Sequence, residues 1–156
     1  MNIDLSGLEF LDPKQELLIK ETIYKVLNAS DLKDYYLSVG LIDAGEMRKL
    51  CKRYKKKDKV TDVLSFPLPK MEQGFAHTQK ILGDIVICVE QAKLQADECG
   101  HSLAEEMAVL CAHGLFHLLG YDHEISDEEA NMQLQGEMYL LEKADISPEI
   151  ALLGRA

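Results

Sequence analysis

The sequence contains no CxxC pair, no apolar run near the about 18 residues needed to cross a bilayer, and no glutamate beside the first histidine of its histidine cluster. Each absence removes a class of protein. The four cysteines, Cys51, Cys88, Cys99 and Cys111, are spaced for neither a metal knuckle nor a redox motif. Free thiols in a reducing compartment are expected, with Cys88 and Cys111 as small core residues. Met1-Asn2-Ile3-Asp4-Leu5 has neither a cationic nor an apolar leader region. No secretory signal is therefore expected, and the expected location is cytoplasmic. Internal repeats, low-complexity segments and linkers are also lacking. The 156 residues read as a single domain, 1–156, with 144–156 expected as a loosely ordered tail. A chain of this length buries about two-thirds of its unfolded surface in one core, so no metal is needed simply to hold it together.

The formal net charge is −10, which opposes indiscriminate binding to nucleic acid. The distribution of that charge points the other way for one segment. Arg48, Lys49, Lys52, Arg53, Lys55, Lys56, Lys57 and Lys59 stand against a single acid, Asp58, so any contact with a polyanion is focused there. Alone, such a run is equally well a solvated lysine-rich helix end.

The chain alternates helix and strand signals. Residues 2–5 suit a short edge strand. Asp12-Pro13 opens a helix carrying Leu17, Ile19, Tyr24, Val26 and Leu27 on its apolar side. Residues 35–42 are rich in β-formers. A second helix from 44 or 45 shows an apolar stripe of Met47, Leu50 and Tyr54, with the basic run on its other side. Strands follow over 61–67 and 81–89, separated by a polar loop over 69–80 that holds His77. The continuous apolar run 85–89 suits a central strand. A helix over about 90–99 closes at Gly100. Ser102-Leu103-Ala104-Glu105 and Ser126-Asp127-Glu128-Glu129 are capping boxes for the last two helices, the final one packing through Met132, Leu134, Met138, Leu140 and Leu141. The pattern predicts an α+β fold: a mixed sheet of three to four strands covered by about five helices, with a metal site at the end of a central helix.

That site is read from His113, His117 and His123. Residues four apart on a helix lie about 40° from each other, so His113 and His117 share a face. Gly120 can take the left-handed conformation that ends helices and return His123 toward them. Three neutral imidazoles with an open fourth position suit a catalytic zinc ion, though nickel, cobalt and copper accept the same donors. The spacing H-x-x-x-H-x-x-G-x-x-H matches that of the metzincin peptidases, which carry their general base directly after the first histidine. Here Gly114 occupies that position and can move no proton. A positioned base is worth about 10²–10⁴-fold, so zinc proteolysis is disfavoured. Phosphodiester hydrolysis needs instead an activated water and a cationic surface, which the 48–59 segment supplies.

Three motifs in series, His113-Gly-Leu-Phe-His117-Leu-Leu-Gly120-Tyr-Asp-His123, Thr61-Asp-Val-Leu-Ser-Phe66-Pro67 and Leu82-Gly-Asp-Ile-Val-Ile87, resemble those of the YbeY family of bacterial endoribonucleases and ribosomal RNA maturation factors. The resemblance runs from about residue 35 to 143. It implies a metal-dependent, single-strand-specific endoribonuclease acting in small-subunit ribosomal RNA maturation and ribosome quality control. One Zn2+ would be held by His113, His117 and His123. The implied partners are single-stranded RNA, ribosomal RNA or the small ribosomal subunit, with no DNA and no membrane. The family's arginine position is occupied by Lys55, the catalytic candidate, and Cys51 stands where an asparagine is usual. Lysine keeps the charge but loses the planar two-pronged grip on phosphate. Arg53, Lys56, Lys57 and Ser65 are RNA-binding candidates. Asp84 and Asp122 are candidates for orienting a ligand histidine, each equally readable as a turn residue. The competing readings are a ribosome-binding assembly factor with a structural metal and, less favoured, a zinc peptidase.

Overall fold

The structure, a computed structural model, describes residues 1–68, 80–122 and 124–153. Its elements are β1 (Asn2–Ser6), α1 (Glu16–Asn28), β2 (Tyr35–Ile42), α2 (Ala44–Leu50), β3 (Val63–Pro67), β4 (Lys80–Cys88), α3 (Val89–Cys99), α4 (Leu103–Leu118) and α5 (Asp127–Lys143). A π-helical turn (Cys51–Lys55) continues α2, and a 3₁₀ turn (Pro148–Leu152) follows α5. The four strands form one sheet in the order β1-β2-β4-β3. β1, β2 and β4 run parallel, and β3 pairs antiparallel with β4 at the edge. This is the expected mixed sheet with five α-helices, and the apolar run of β4 is indeed central. The expected loop over 69–80 lies, apart from Lys80, outside the described residues, as does His77.

Strand periodicity sorts the two faces of the sheet. Leu37, Val39 and Leu41 of β2 and Ile85 and Ile87 of β4 are buried against the main core. Leu64, Cys88 and the half-buried Val86 form a smaller cluster with Met47 and Cys51. α4 is the helix around which the rest is arranged. Of its residues, Ala104, Met107, Ala108, Leu110, Cys111, Ala112 and Leu115 are all buried. It packs against α1, α3, α5, β3 and β4. A helix apolar on nearly every side belongs in the interior, and its small residues let the neighbours approach closely. Burial pushes the Cys111 thiol up to about 12, so this cysteine is the inert core residue expected of it.

Several boundaries and faces differ from expectation, each for a local reason. Asp12 caps a turn, accepting from the Lys14 N–H at 3.0 Å, and α1 begins at Glu16; Leu17 faces solvent while Ile23 joins the core. The stripe of α2 breaks at Tyr54, which is 52% exposed. The π-turn is wound wider than an α-turn, so it rotates Tyr54 away from the face that buries Met47. On α5, Leu140 and Leu141 are buried as expected, but Met132 points outward and the other buried positions belong to Gln133 and Glu137. The chain beyond residue 143 is no loose tail as far as Leu153. Ala144 and Ile150 are buried, and Ile146 packs on the core after its N–H bonds the Leu141 carbonyl at 2.9 Å.

Gly83 is the most constrained point of the sheet. It sits at a register shift between β2 and β4 with φ 137°, and a Cβ there would lie 2.2 Å from the Phe66 carbonyl oxygen. Gly83→Ala is expected to lower stability by ~3 kcal/mol, measured by urea unfolding; a loss within experimental error would contradict this geometry.

Candidate active site

α4 is locked at both ends by local chemistry. At its start the Ser102 side chain accepts from the Glu105 N–H at 3.1 Å while Glu105 accepts from the Ser102 N–H at 3.0 Å. At its end Gly120 takes φ 100°, the Tyr121 N–H reaches the Phe116 carbonyl and the Gly120 N–H reaches that of His117, each at 3.0 Å. This is a Schellman turn, and its usual apolar contact is present as an edge-to-face pair of Phe116 and Tyr121, centroids 5.6 Å apart. Ser126 caps α5 through the Glu129 N–H, but Glu129 sends its own carboxylate to the Asp122 N–H at 3.3 Å, tying the post-helical turn to α5.

The last turns of α4 carry His113 and His117, whose Nε2 atoms stand 2.9 Å apart. His113 is held from behind by α5. Its Nδ1 lies 2.6 Å from Glu137 Oε1 and 3.1 Å from the Gln133 amide. An ionised carboxylate only accepts, so Nδ1 carries the proton and Nε2 presents its lone pair toward His117. Two imidazole nitrogens facing each other at this distance require a proton or a cation between them. The donor chemistry and this convergence fit a divalent metal ion. His123 lies outside the described residues, and among the described residues no third donor joins the pair.

Both histidines line a cleft of about 830 Å³ shared with Lys55, Lys57 and Lys59. The π-turn delivers Lys55, and Lys56 adopts φ 57° so that the Lys57 N–H can bond the Cys51 carbonyl at 3.2 Å. Asp58 is turned toward Arg48 at 2.5 Å and Lys52 at 3.5 Å. The Arg48 hydrogen bond holds its carboxyl below the usual range and raises the guanidinium in turn. The one acid of the segment is thus engaged with Arg48 and Lys52, and three lysines border the cleft.

The other candidates divide. Ser65 and Asp122 line the cleft; Ser65 Oγ donates to the Gly114 carbonyl at 3.3 Å, and Asp122 Oδ1 accepts from the Glu124 N–H at 2.9 Å. Arg53 is not part of the lining and stands over the Tyr54 ring at 5.3 Å. Lys56 is exposed outside it. Asp84 is a correction. It alternates with Ile85, so it occupies the opposite face of the sheet and lines a separate cavity of about 520 Å³ with Asn2, Asp4 and Tyr36. The carboxylate that touches a candidate ligand is Glu137. Gln133 and Glu137 escape a reading of the sequence because nothing local marks them; the available signal is two polar side chains four apart on the inward side of α5.

A second polar chain is equally silent in the sequence. Asp62, on the cleft, accepts from the Val63 N–H at 2.7 Å and from Gln95 Nε2 at 3.2 Å. Gln95 Nε2 also donates to Glu106 at 2.9 Å, and Glu106 meets His101 Nε2 at 2.6 Å. Glu106 is fully buried, and this chain joins the start of β3 to α3 and α4. Gly114 faces the sheet: a Cβ there would lie 3.1 Å from Ile85 side-chain carbons. A side chain at that position presses into the core, so it is no place for a catalytic base.

Three comparisons bear on this arrangement. The family model described as Endoribonuclease YbeY matches residues 7–144. A protein of Aquifex aeolicus named Endoribonuclease YbeY is 50% identical over 117 residues, 75% of each chain. One of the same name from Halalkalibacterium halodurans is 36% identical over 148 residues, covering 88% of this chain and 93% of its own. The solution structure of a Thermotoga maritima protein superposes with a TM-score of 0.61 at 25% identity, covering 91% of this chain and 88% of that one.

Gly120→Ala tests the turn that closes the site. No atom crowds a Cβ at this position, so only the left-handed backbone is at stake. The expected loss is about 1–2 kcal/mol in urea unfolding, with Gly120→Asn less affected; equal stability of all three proteins would refute a Schellman turn here.

Proposed function

We propose, from the premise that this chain belongs to the YbeY endoribonuclease family, that it is a zinc-dependent hydrolase of single-stranded RNA acting on ribosomal RNA of the small subunit. The observation that carries this reading is the convergence of His113 and His117 at 2.9 Å in the cleft that also holds Lys55, Lys57 and Lys59. His113 and His117, completed by His123, would hold one Zn2+. When bound, zinc supplies a Lewis acid and lowers the pKa of water to about 7.

The chain's own residues do the remaining work. Glu137 accepts the Nδ1 proton of His113 and so keeps the ring in one tautomer and one orientation, which keeps Nε2 basic and aimed. Lys55, Lys57 and Lys59 bind the strand's phosphates and offset the negative charge that grows as the phosphorus is attacked. Lys55 acts as a point charge, so it stabilises that charge without the two-pronged orientation an arginine would impose. Ser65 places a hydroxyl in the same cleft, which would turn from the Gly114 carbonyl to donate to a phosphate oxygen. The acidic remainder of the surface, with a chain charge of −10, confines a polyanion to this lysine-lined groove.

The structural-metal alternative has less support, because α4 is held by its caps and by a core on nearly every side. The peptidase alternative lacks a base, and Gly114 faces Ile85.

Zinc-loaded protein is expected to cleave single-stranded RNA, and His113→Ala and His117→Ala to abolish cleavage while remaining folded by circular dichroism. Intact RNA after verified metal loading would overturn the hydrolase. Unfolding of the wild-type chain on chelation would favour the structural-metal reading. Independently of activity, Glu137→Gln is expected to weaken zinc affinity by about 10- to 100-fold in competition with a chromophoric chelator.

A further inference from the structure

The cleft explains how phosphates are held, but phosphates are common to paired and unpaired strands. A feature beside the cleft distinguishes the two. Tyr54 is the only aromatic residue between Arg48 and Lys59, and the π-turn that brings its neighbour Lys55 into the cleft turns its own ring outward, where it is 52% exposed. The ring is not loose. Its position is set by an edge-to-face contact with Phe66, centroids 5.1 Å apart, and the Arg53 guanidinium stands over it at 5.3 Å. Phe66 alternates with Ser65 along β3 and pairs with Asp84, so the Arg53–Tyr54 pair lies on the other face of this edge strand from the histidines and is joined to the cleft through its chain neighbour Lys55.

Resting on the proposed RNA substrate, we infer that Arg53 and Tyr54 form a stacking platform for an unpaired nucleobase of the strand whose phosphates lie on Lys55 and Lys57. Every base has a π-face, so such a platform accepts any sequence. It refuses a duplex, because paired bases are already stacked on their neighbours and cannot reach a protein ring. The guanidinium adds a second flat, cationic surface that can stack on a base or shift to a phosphate. The platform therefore makes Tyr54 a specificity-determining residue for single strands, distinct from the groups that act on the phosphodiester.

The chain has no tryptophan, so Tyr54→Trp places a single fluorophore on the platform. Full-length Tyr54→Trp protein is titrated with 2′-O-methyl decauridylate, with an abasic strand of the same length, and with a fully paired duplex, while strand anisotropy follows binding separately. Quenching that saturates with the decauridylate and is absent with the other two is the expected result. Tyr54→Leu should weaken decauridylate binding by about 5- to 100-fold, and Tyr54→Phe should bind as wild type. Unchanged emission at saturating decauridylate, equal quenching by the abasic strand, or undiminished binding by Tyr54→Leu overturns the platform and leaves the RNA substrate standing. Failure of the wild-type chain to bind any single strand overturns both.

Discussion

The bond between His113 Nδ1 and Glu137, 2.6 Å long and nearly closed to solvent on the carboxylate side, is the contact on which the site depends. A buried carboxylate without a partner is costly, so once α5 packs with Glu137 inward the imidazole is obliged to meet it. The ring is then fixed in tautomer and direction, and its second nitrogen faces His117. The packing that makes this possible is close. A Cβ on Gly136 would lie 2.4 Å from the Phe116 ring, so a glycine one residue before Glu137 lets α5 approach the last turns of α4. The same Phe116 anchors the Schellman turn through Tyr121. Helix end, helix pairing and ring orientation are thus parts of one arrangement.

The cleft's other border is secured in a similar way from the core. Glu106 is fully buried in the first turns of α4, where an acidic residue suits the helix N-terminus, and it divides its oxygens between His101 and Gln95. Gln95 passes the connection to Asp62 on the cleft. Directional bonds of this kind specify how α3, α4 and the start of β3 meet, which apolar contacts alone leave adjustable. A polar chain through a core restricts sliding between elements, and here those elements are the ones that shape the cleft.

Charge is distributed to the same end. A chain of net charge −10 has one strongly basic segment, and the fold turns that segment's only acid toward Arg48 and Lys52 while three lysines border the histidines. The π-turn at Cys51–Lys55 makes this possible by changing the helical phase in mid-segment. The change that delivers Lys55 to the cleft is also what exposes Tyr54. No helix among the described residues is long and apolar enough to cross a membrane.

What could be read from the chain alone was much of what is decided within a few residues, though not the π-turn at Cys51–Lys55 or the start of α1 at Glu16. The capping box at Ser102–Glu105, the stop at Gly120, the pairing of His113 with His117 on one helical face, the central strand and the basic segment are all local patterns, because helix caps and strand alternation depend on neighbours up to about six positions away. Tertiary structure alone decided what lies across a gap. Glu137 reaches His113 from 24 positions along the chain, Asp84 falls on the wrong face for the role its motif suggested, and Ala144, Ile146 and Ile150 find a core that their own segment does not announce. Those outcomes depend on which faces of two helices or strands come into contact, and that is set by the packing of the whole core rather than by any stretch of sequence.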